Sequence, residues 1–175
     1  MNKSFYIVVP FFLALCFSYT ADAFEVTSPA FEDGGKLPQI YACTRQGGEN
    51  YSWELNIRDV PAGTVTLVVI MDDPDAKSVA GHTWVHWNVS NIAGDTQTIP
   101  SVKSGKKIGK SGYNSNRVKG YWGMCPPNGE HKYILAVYAL KVEFKKTLSE
   151  MTRKKFEKKY KDEIIGKAEI SGRWG

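Results

Sequence analysis

A chain of 175 residues has room for one domain of ordinary size and not comfortably for two. Its 42% apolar and 23% charged residues exclude an intrinsically disordered chain, and an aromatic share of 13% leans toward strands. The formal charge of +5 eases approach to anionic ligands or surfaces without dictating a fold, and no nucleic-acid partner is expected.

Residues 1–23 read as a cleaved signal peptide. Lys3 supplies the positive start, residues 5–17 form an apolar run broken only by Pro10, and Ala21-Asp22-Ala23 offers a small-x-small cleavage site before Phe24. The run is short for a bilayer span. A lipoprotein reading through Cys16 is weakened by the bulky Leu15 where a small residue is wanted. The expectation is an exported protein, periplasmic or secreted, with one domain over residues 24–175. Losing Lys3 and Asp22 leaves the formal charge at +5. Export would leave two cysteines, Cys43 and Cys125. In an oxidising compartment such a pair is most simply a disulfide, with two separate buried thiols as the alternative.

From Phe24 to Leu140 turn signals are frequent, among them Asp33-Gly34-Gly35, Gly47-Gly48, Pro61-Ala62-Gly63 and Ala93-Gly94-Asp95. Between them lie apolar or alternating runs at 40–44, 51–57, 64–71, 83–92 and 133–142. The run 65–71 is almost continuously apolar, as in a strand covered on both faces. The run 133–140 reads alike, although a buried helix shares the pattern. Several short strands at this spacing predict a sandwich or barrel. Residues 94–130 lack periodicity, and such a stretch inside a compact domain is usually functional or disordered. The best helix lies over 147–165, with Thr147 as N-cap, Glu150 completing a capping box, and a lysine-rich outer face. That face reads as solvated, with peripheral membrane contact as the second reading.

Among the side chains able to do chemistry, His86 sits in the alternating segment Trp84-Val85-His86-Trp87. On one strand His82 and His86 would share a face and make half a zinc site. The plainer reading puts His82 in the loop before the strand, and no metal or cofactor is expected. Asp72-Asp73-Pro74-Asp75 follows the 65–71 run, where Pro74 must end the ladder and three carboxylates gather at a strand end. A turn with Asp side chains bonded to nearby N–H groups is the simple alternative. Further on, Gly120-Tyr121-Trp122-Gly123-Met124-Cys125-Pro126-Pro127 makes a stiff loop with glycines that let backbone approach a ligand, and His131 precedes the run beginning at Tyr133.

Taken in order, Asp73-Pro74-Asp75-Ala76, Trp84-x-His86-Trp87, the glycine-tyrosine loop ending in Pro126-Pro127, and His131-Lys132-Tyr133 resemble phosphatidylethanolamine-binding proteins, in particular the bacterial branch called Raf kinase inhibitor-like. Residues 165–174 resemble that family's closing segment. The resemblance implies a mainly β fold, a sandwich of antiparallel-rich Greek-key sheets with a few peripheral helices. It also implies one surface pocket for a small anion, such as phosphate or a phospholipid headgroup. Carried over residue by residue, that pocket comprises Asp73, Asp75, Trp84, His86, Tyr121, Gly123, Pro126, His131 and Tyr133. Relatives carry cysteines near positions 43 and 125, which favours a Cys43–Cys125 disulfide. Lys77 stands where the family usually has proline, and would bring an ammonium to the rim. The nearby carboxylates are expected to hold both imidazoles as protonated donors, while the Asp pair takes an amine or hydroxyl.

Binding without catalysis is the expected function, since no G-x-S-x-G, H-E-x-x-H or P-loop motif occurs. Two alternatives stay open: a hydrolase using His86 or His131 as base with an orienting carboxylate, and a kinase- or protease-type inhibitor acting on an unidentified protein partner.

Overall fold

The computed structural model describes residues 23–103 and 108–175; the leader read over residues 1–23, save its last residue, lies outside them. The first strands in chain order are β1 (Glu25–Thr27), β2 (Leu55–Arg58) and β3 (Thr66–Asp73). A single helical turn, α1 (Lys77–Ala80), leads to β4 (Trp84–Ala93), β5 (Thr98–Ile99) and β6 (Lys110–Ser111). The chain ends with β7 (His131–Leu140), α2 (Arg153–Lys159) and β8 (Ile164–Trp174). Two antiparallel sheets result, one of order β1-β2-β5 and one of order β6-β4-β3-β7-β8. The mainly β sandwich read from the sequence is therefore the fold.

Every residue of β3 is buried because both its faces are covered. Leu67, Val69 and Met71 point between the sheets, where they meet Trp53, Leu55, Trp87, Leu135 and Val137. Val68 and Ile70 point the other way, beneath Phe156 of α2 and beside Ala136 and Tyr138 of β7. Alternation continues past the apolar run, so Asp72 and Asp73 leave the strand on opposite faces. Asp72 turns to the α2 side and accepts from the Arg153 backbone N–H at 2.9 Å and from Arg153 Nε at 2.8 Å. Asp73 turns to the inter-sheet side. Two of the three carboxylates expected together at one strand end are thus separated by period alone.

Several sequence-derived boundaries need correction. The run 40–44 is no strand but two 3₁₀ turns, Gln39–Tyr41 and Thr44–Gln46, and their backbone bonds go to neighbouring loops: the Asn50 N–H donates to Ala42 and the Cys43 N–H to Met124. In 51–57 only the last residues join a sheet. The run 133–142 is a strand, begun two residues earlier at His131. The helix is far shorter than 147–165. Its cap is Thr152, whose side chain accepts from the Lys155 N–H, and not Thr147. Residues 148–150 are held instead along the loop at Tyr113, whose N–H donates to Leu148 and whose carbonyl accepts from Glu150. Beyond the helix the chain becomes β8, which pairs with β7 along its whole length.

The aperiodic stretch 94–130 is ordered by the edge of β4 where it is described. N–H groups of Gly112, Ser115 and Trp122 donate to the carbonyls of Asn88, Val85 and His86. Buried Asn114 organises its turn, accepting from Asn116 and Val118 and donating to Gly120. Among the described residues no helix is long and apolar enough to cross a membrane.

Candidate functional site

The site forms where β3 ends, β4 begins and β7 begins. Pro74 has no N–H and closes the β3 ladder after Asp73. On β4, Trp84 faces Asp73 and Val85 faces Asp72, but Trp87 faces Met71, so His86 is the extra residue of a β-bulge. Strict alternation would send His86 and Trp87 to opposite faces. The bulge keeps Trp87 in the inter-sheet core while turning His86 toward a cavity of about 300 Å³ at the end of the sheet.

Asp73 and His131 are both buried, and the Asp73 Oδ2 accepts from the His131 Nδ1–H at 2.7 Å. The other Asp73 oxygen accepts from the N–H groups of Asp75 and Ala76, at 2.9 and 3.0 Å. The turn reading and the site reading of Asp73 are therefore both correct: one oxygen shapes the turn and the other orients His131. The ring presents Nε2 to the cavity. His86 is oriented in the same sense, its Nδ1–H donating to the Trp122 carbonyl at 2.7 Å. A carbonyl can only accept, so the proton lies on Nδ1 and the Nε2 of a neutral ring is an acceptor. Burial holds the His86 pKa below its ordinary value, against the upward pull of the Trp122 carbonyl and the Asp73 and Asp72 carboxylates.

Between the two imidazoles lies Tyr133, its ring edge-on to His86 with centroids 5.2 Å apart and stacked over His131 at 6.4 Å. Tyr133 is fully buried, yet its hydroxyl has no hydrogen-bond partner among the described residues. Burial, with the Asp73 and Asp75 carboxylates, pushes its pKa far up, so it is a neutral donor. An orphan buried hydroxyl costs about 1–3 kcal/mol unless something in the cavity accepts from it.

The cavity's mouth is built by two segments distant in sequence. Cys43 and Cys125 are bonded, with Cα atoms 5.6 Å apart. The link places the turn carrying Arg45 against the loop carrying Pro126 and Pro127, and all three line the cavity together with Cys125. Gln46 fastens the same corner, donating to the Pro126 carbonyl and accepting from the Trp174 indole N–H. Trp84, Trp122 and Val79 give the opening apolar walls.

The family model for phosphatidylethanolamine-binding protein matches residues 27–175. The chain belongs to the phosphatidylethanolamine-binding protein family. A protein named UPF0098 from Aquifex aeolicus is 36% identical over 162 residues, covering 89% of this chain and 91% of its own. YbcL of Escherichia coli, described as a member of the mammalian family, superimposes with a TM-score of 0.75 at 29% identity, covering 87% of this chain and 98% of its own. A family homologue from Chlamydia trachomatis gives 0.74 at 31% identity, covering 87% and 97%.

Within this member of the family, Asp73, Trp84, His86, Pro126, His131 and Tyr133 line one cavity as expected. Asp75 does not: it is exposed, and its carboxylate accepts from the Lys132 N–H at 2.8 Å. Tyr121 belongs to the inter-sheet core, packed edge-on to Trp87 and donating to the Tyr41 carbonyl. Gly123 also lies outside the lining; a Cβ there would come within 2.6 Å of the backbone of Ala42 and Cys43, so it serves the close approach of two loops. Lys77 is exposed and does not line the cavity, whose cation is Arg45. His82 lies in the loop before β4, stacked on Trp84, so the two histidines do not share a strand face. Among the described residues no three His, Cys, Asp or Glu side chains cluster as metal ligands.

Two chemical expectations change with these positions. Asp75 is exposed and engaged by the Lys132 N–H outside the cavity, so the two carboxylates do not act as a pair on an amine. At His86 desolvation outweighs the carboxylates and lowers the pKa, which favours the neutral ring over the protonated donor expected. Its lowered folded pKa has a stability consequence: below about pH 6.5 the unfolded ring takes up a proton that the folded ring resists. Stability is therefore expected to fall as pH drops from about 6.5 through the folded pKa, and urea titrations across this range should show a flatter dependence in His86→Gln.

Arg45, Trp122, Asn116 and the α1 wall of Ala76, Val79 and Ala80 were not read as site residues. Proximity of Arg45 to Cys43 in sequence was the one available signal for it.

Proposed function

We propose that this exported protein binds a small oxyanion, a phosphoryl group or a carboxylate, in the cavity between His86 and His131, without turning it over. The carrying observation is the Tyr133 hydroxyl: fully buried, unpartnered among the described residues, and carried by a side chain that lines the cavity whose cation is Arg45. An oxyanion oxygen is the acceptor it lacks. Binding rather than catalysis is supported by the lining itself, in which Cys125 is locked in a disulfide and the Tyr133 phenol stays protonated. The family's name carries a phosphate-ester headgroup, and a phosphoryl group fits the same donors. Export follows the reading of residues 1–23; N-terminal sequencing of the secreted protein should begin at Phe24.

Calorimetric titration of residues 24–175 with phosphate, phosphoethanolamine and acetate tests the reading. Tyr133→Phe should weaken oxyanion affinity by about ten- to a hundredfold, the equivalent of one hydrogen bond to a charged group. It should leave the melting temperature unchanged or slightly raised, because the hydroxyl removed has no partner in the empty cavity. Absence of heat with every anion, or a Phe variant that binds like wild type, contradicts the assignment.

A further inference from the structure

We infer that the cavity selects oxyanions that bring a proton of their own, such as a phosphomonoester or phosphonate monoanion, over equally charged oxyanions that have none, such as a sulfate ester. The inference rests on the oxyanion reading above and concerns the chemistry of its recognition. Three groups set it. Tyr133 offers one O–H. The His131 Nδ1–H is taken by Asp73 Oδ2, and the Asp73 carboxylate, which can only accept, offers the ligand no proton. The His86 Nδ1–H is taken by the Trp122 carbonyl, so His86 meets the ligand with the Nε2 lone pair. A fully deprotonated oxyanion has only lone pairs to set against it, and two facing lone pairs in a buried site repel. An oxyanion bearing one O–H donates it to Nε2 and keeps its charged oxygens for Tyr133 and the Arg45 side of the cavity.

The alternative way to supply that proton is to protonate His86 itself, and its surroundings oppose this. The charged and titratable groups facing His86 are Asp73 from β3, His131 and Tyr133 from β7, and Arg45 across the cavity, with the Asp72 carboxylate acting through its charge from the other face of β3. Desolvation and the His131 ring hold the His86 pKa below the ordinary value against the pull of the carboxylates. A ligand without a proton must therefore recruit one from solvent onto a ring that resists it.

Methyl phosphate and methyl sulfate isolate the effect, being alike in shape. At about pH 5, below the second pKa of about 6 typical of a phosphomonoester, each carries one negative charge, and only the phosphate carries an O–H. Calorimetry at that pH should show methyl phosphate binding at least about tenfold tighter, the value of one hydrogen bond of about 1.4 kcal/mol. Repeating the methyl sulfate titration in two buffers of different ionisation enthalpy should reveal proton uptake, absent with the methyl phosphate monoanion. His86→Gln, whose amide can donate as well as accept, should narrow the preference; Tyr133→Phe should weaken both ligands alike and preserve it. Equal affinities without proton uptake overturn this inference while leaving the oxyanion reading intact. Binding of neither ester, nor of phosphate, overturns both.

Discussion

Replacing Cys43 and Cys125 together by serine should lower the unfolding free energy by about 4.5 kcal/mol, the loop-closure entropy released when residues 82 apart are no longer tied. At about 2–4 °C per kcal/mol for a domain of this size, the melting temperature should drop by about 9–18 °C. The effect should extend to the cavity. Cys43 precedes the 3₁₀ turn that carries Arg45, and Cys125 precedes Pro126. Without the link, the two segments remain tied by hydrogen bonds, among them Gln46 to the Pro126 carbonyl, Tyr121 to the Tyr41 carbonyl, the Gly123 N–H to Asn50, and the Cys43 N–H to Met124. Thermal unfolding by circular dichroism measures the first effect and phosphate titration below the lowered midpoint measures the second. A melting temperature within about 3 °C of wild type would show that the unfolded chain gains little freedom from losing the bond.

Asp73→Ala is expected to cost about 3–5 kcal/mol, because each buried donor left without an acceptor costs about 1–3 kcal/mol. Three donors lose their acceptor at once: the His131 Nδ1–H and the N–H groups of Asp75 and Ala76. Oxyanion affinity should fall with it, since His131 is no longer held with Nε2 toward the cavity. Asp73→Asn separates orientation from stability. Its amide oxygen can keep the turn bonds, and its NH₂ then meets His131 Nδ1, which must become the acceptor. The proton moves to Nε2, and nitrogen NMR of the imidazoles should record the change of tautomer at His131 with His86 unaltered. An unchanged His131 spectrum would mean that Asp73 does not set the tautomer.

The parts of this molecule that are periodic were legible in the sequence. β3, β4 and β7 follow from apolar runs because a central strand covered on both faces needs apolar side chains at every position. The Asp73, His86 and His131 trio was legible through motif order. The rest depends on partners far away along the chain. Nothing near His86 announces a bulge, which arises from the offset between Met71 and Asp72 in the pairing with β4. Nothing near Asp75 says that the Lys132 N–H will claim its carboxylate. Tyr121 and Gly123 share a loop with cavity residues but face inward, because an aperiodic segment gives no rule for which side chains it exposes. The helix starts later than its sequence pattern suggests for a similar reason: a capping-box pattern at Thr147 and Glu150 competes with bonds to Tyr113, and the tertiary bonds prevail.

In the proposed site an oxyanion completes the buried Tyr133 hydroxyl. A crystal structure of residues 24–175 at saturating phosphate tests this most directly. It should show a tetrahedral anion between His86 and His131, with one oxygen about 2.6–2.8 Å from the Tyr133 hydroxyl and its protonated oxygens directed at the Nε2 atoms of the two imidazoles. An empty cavity at saturating phosphate, or an anion held only elsewhere on the surface, would contradict it.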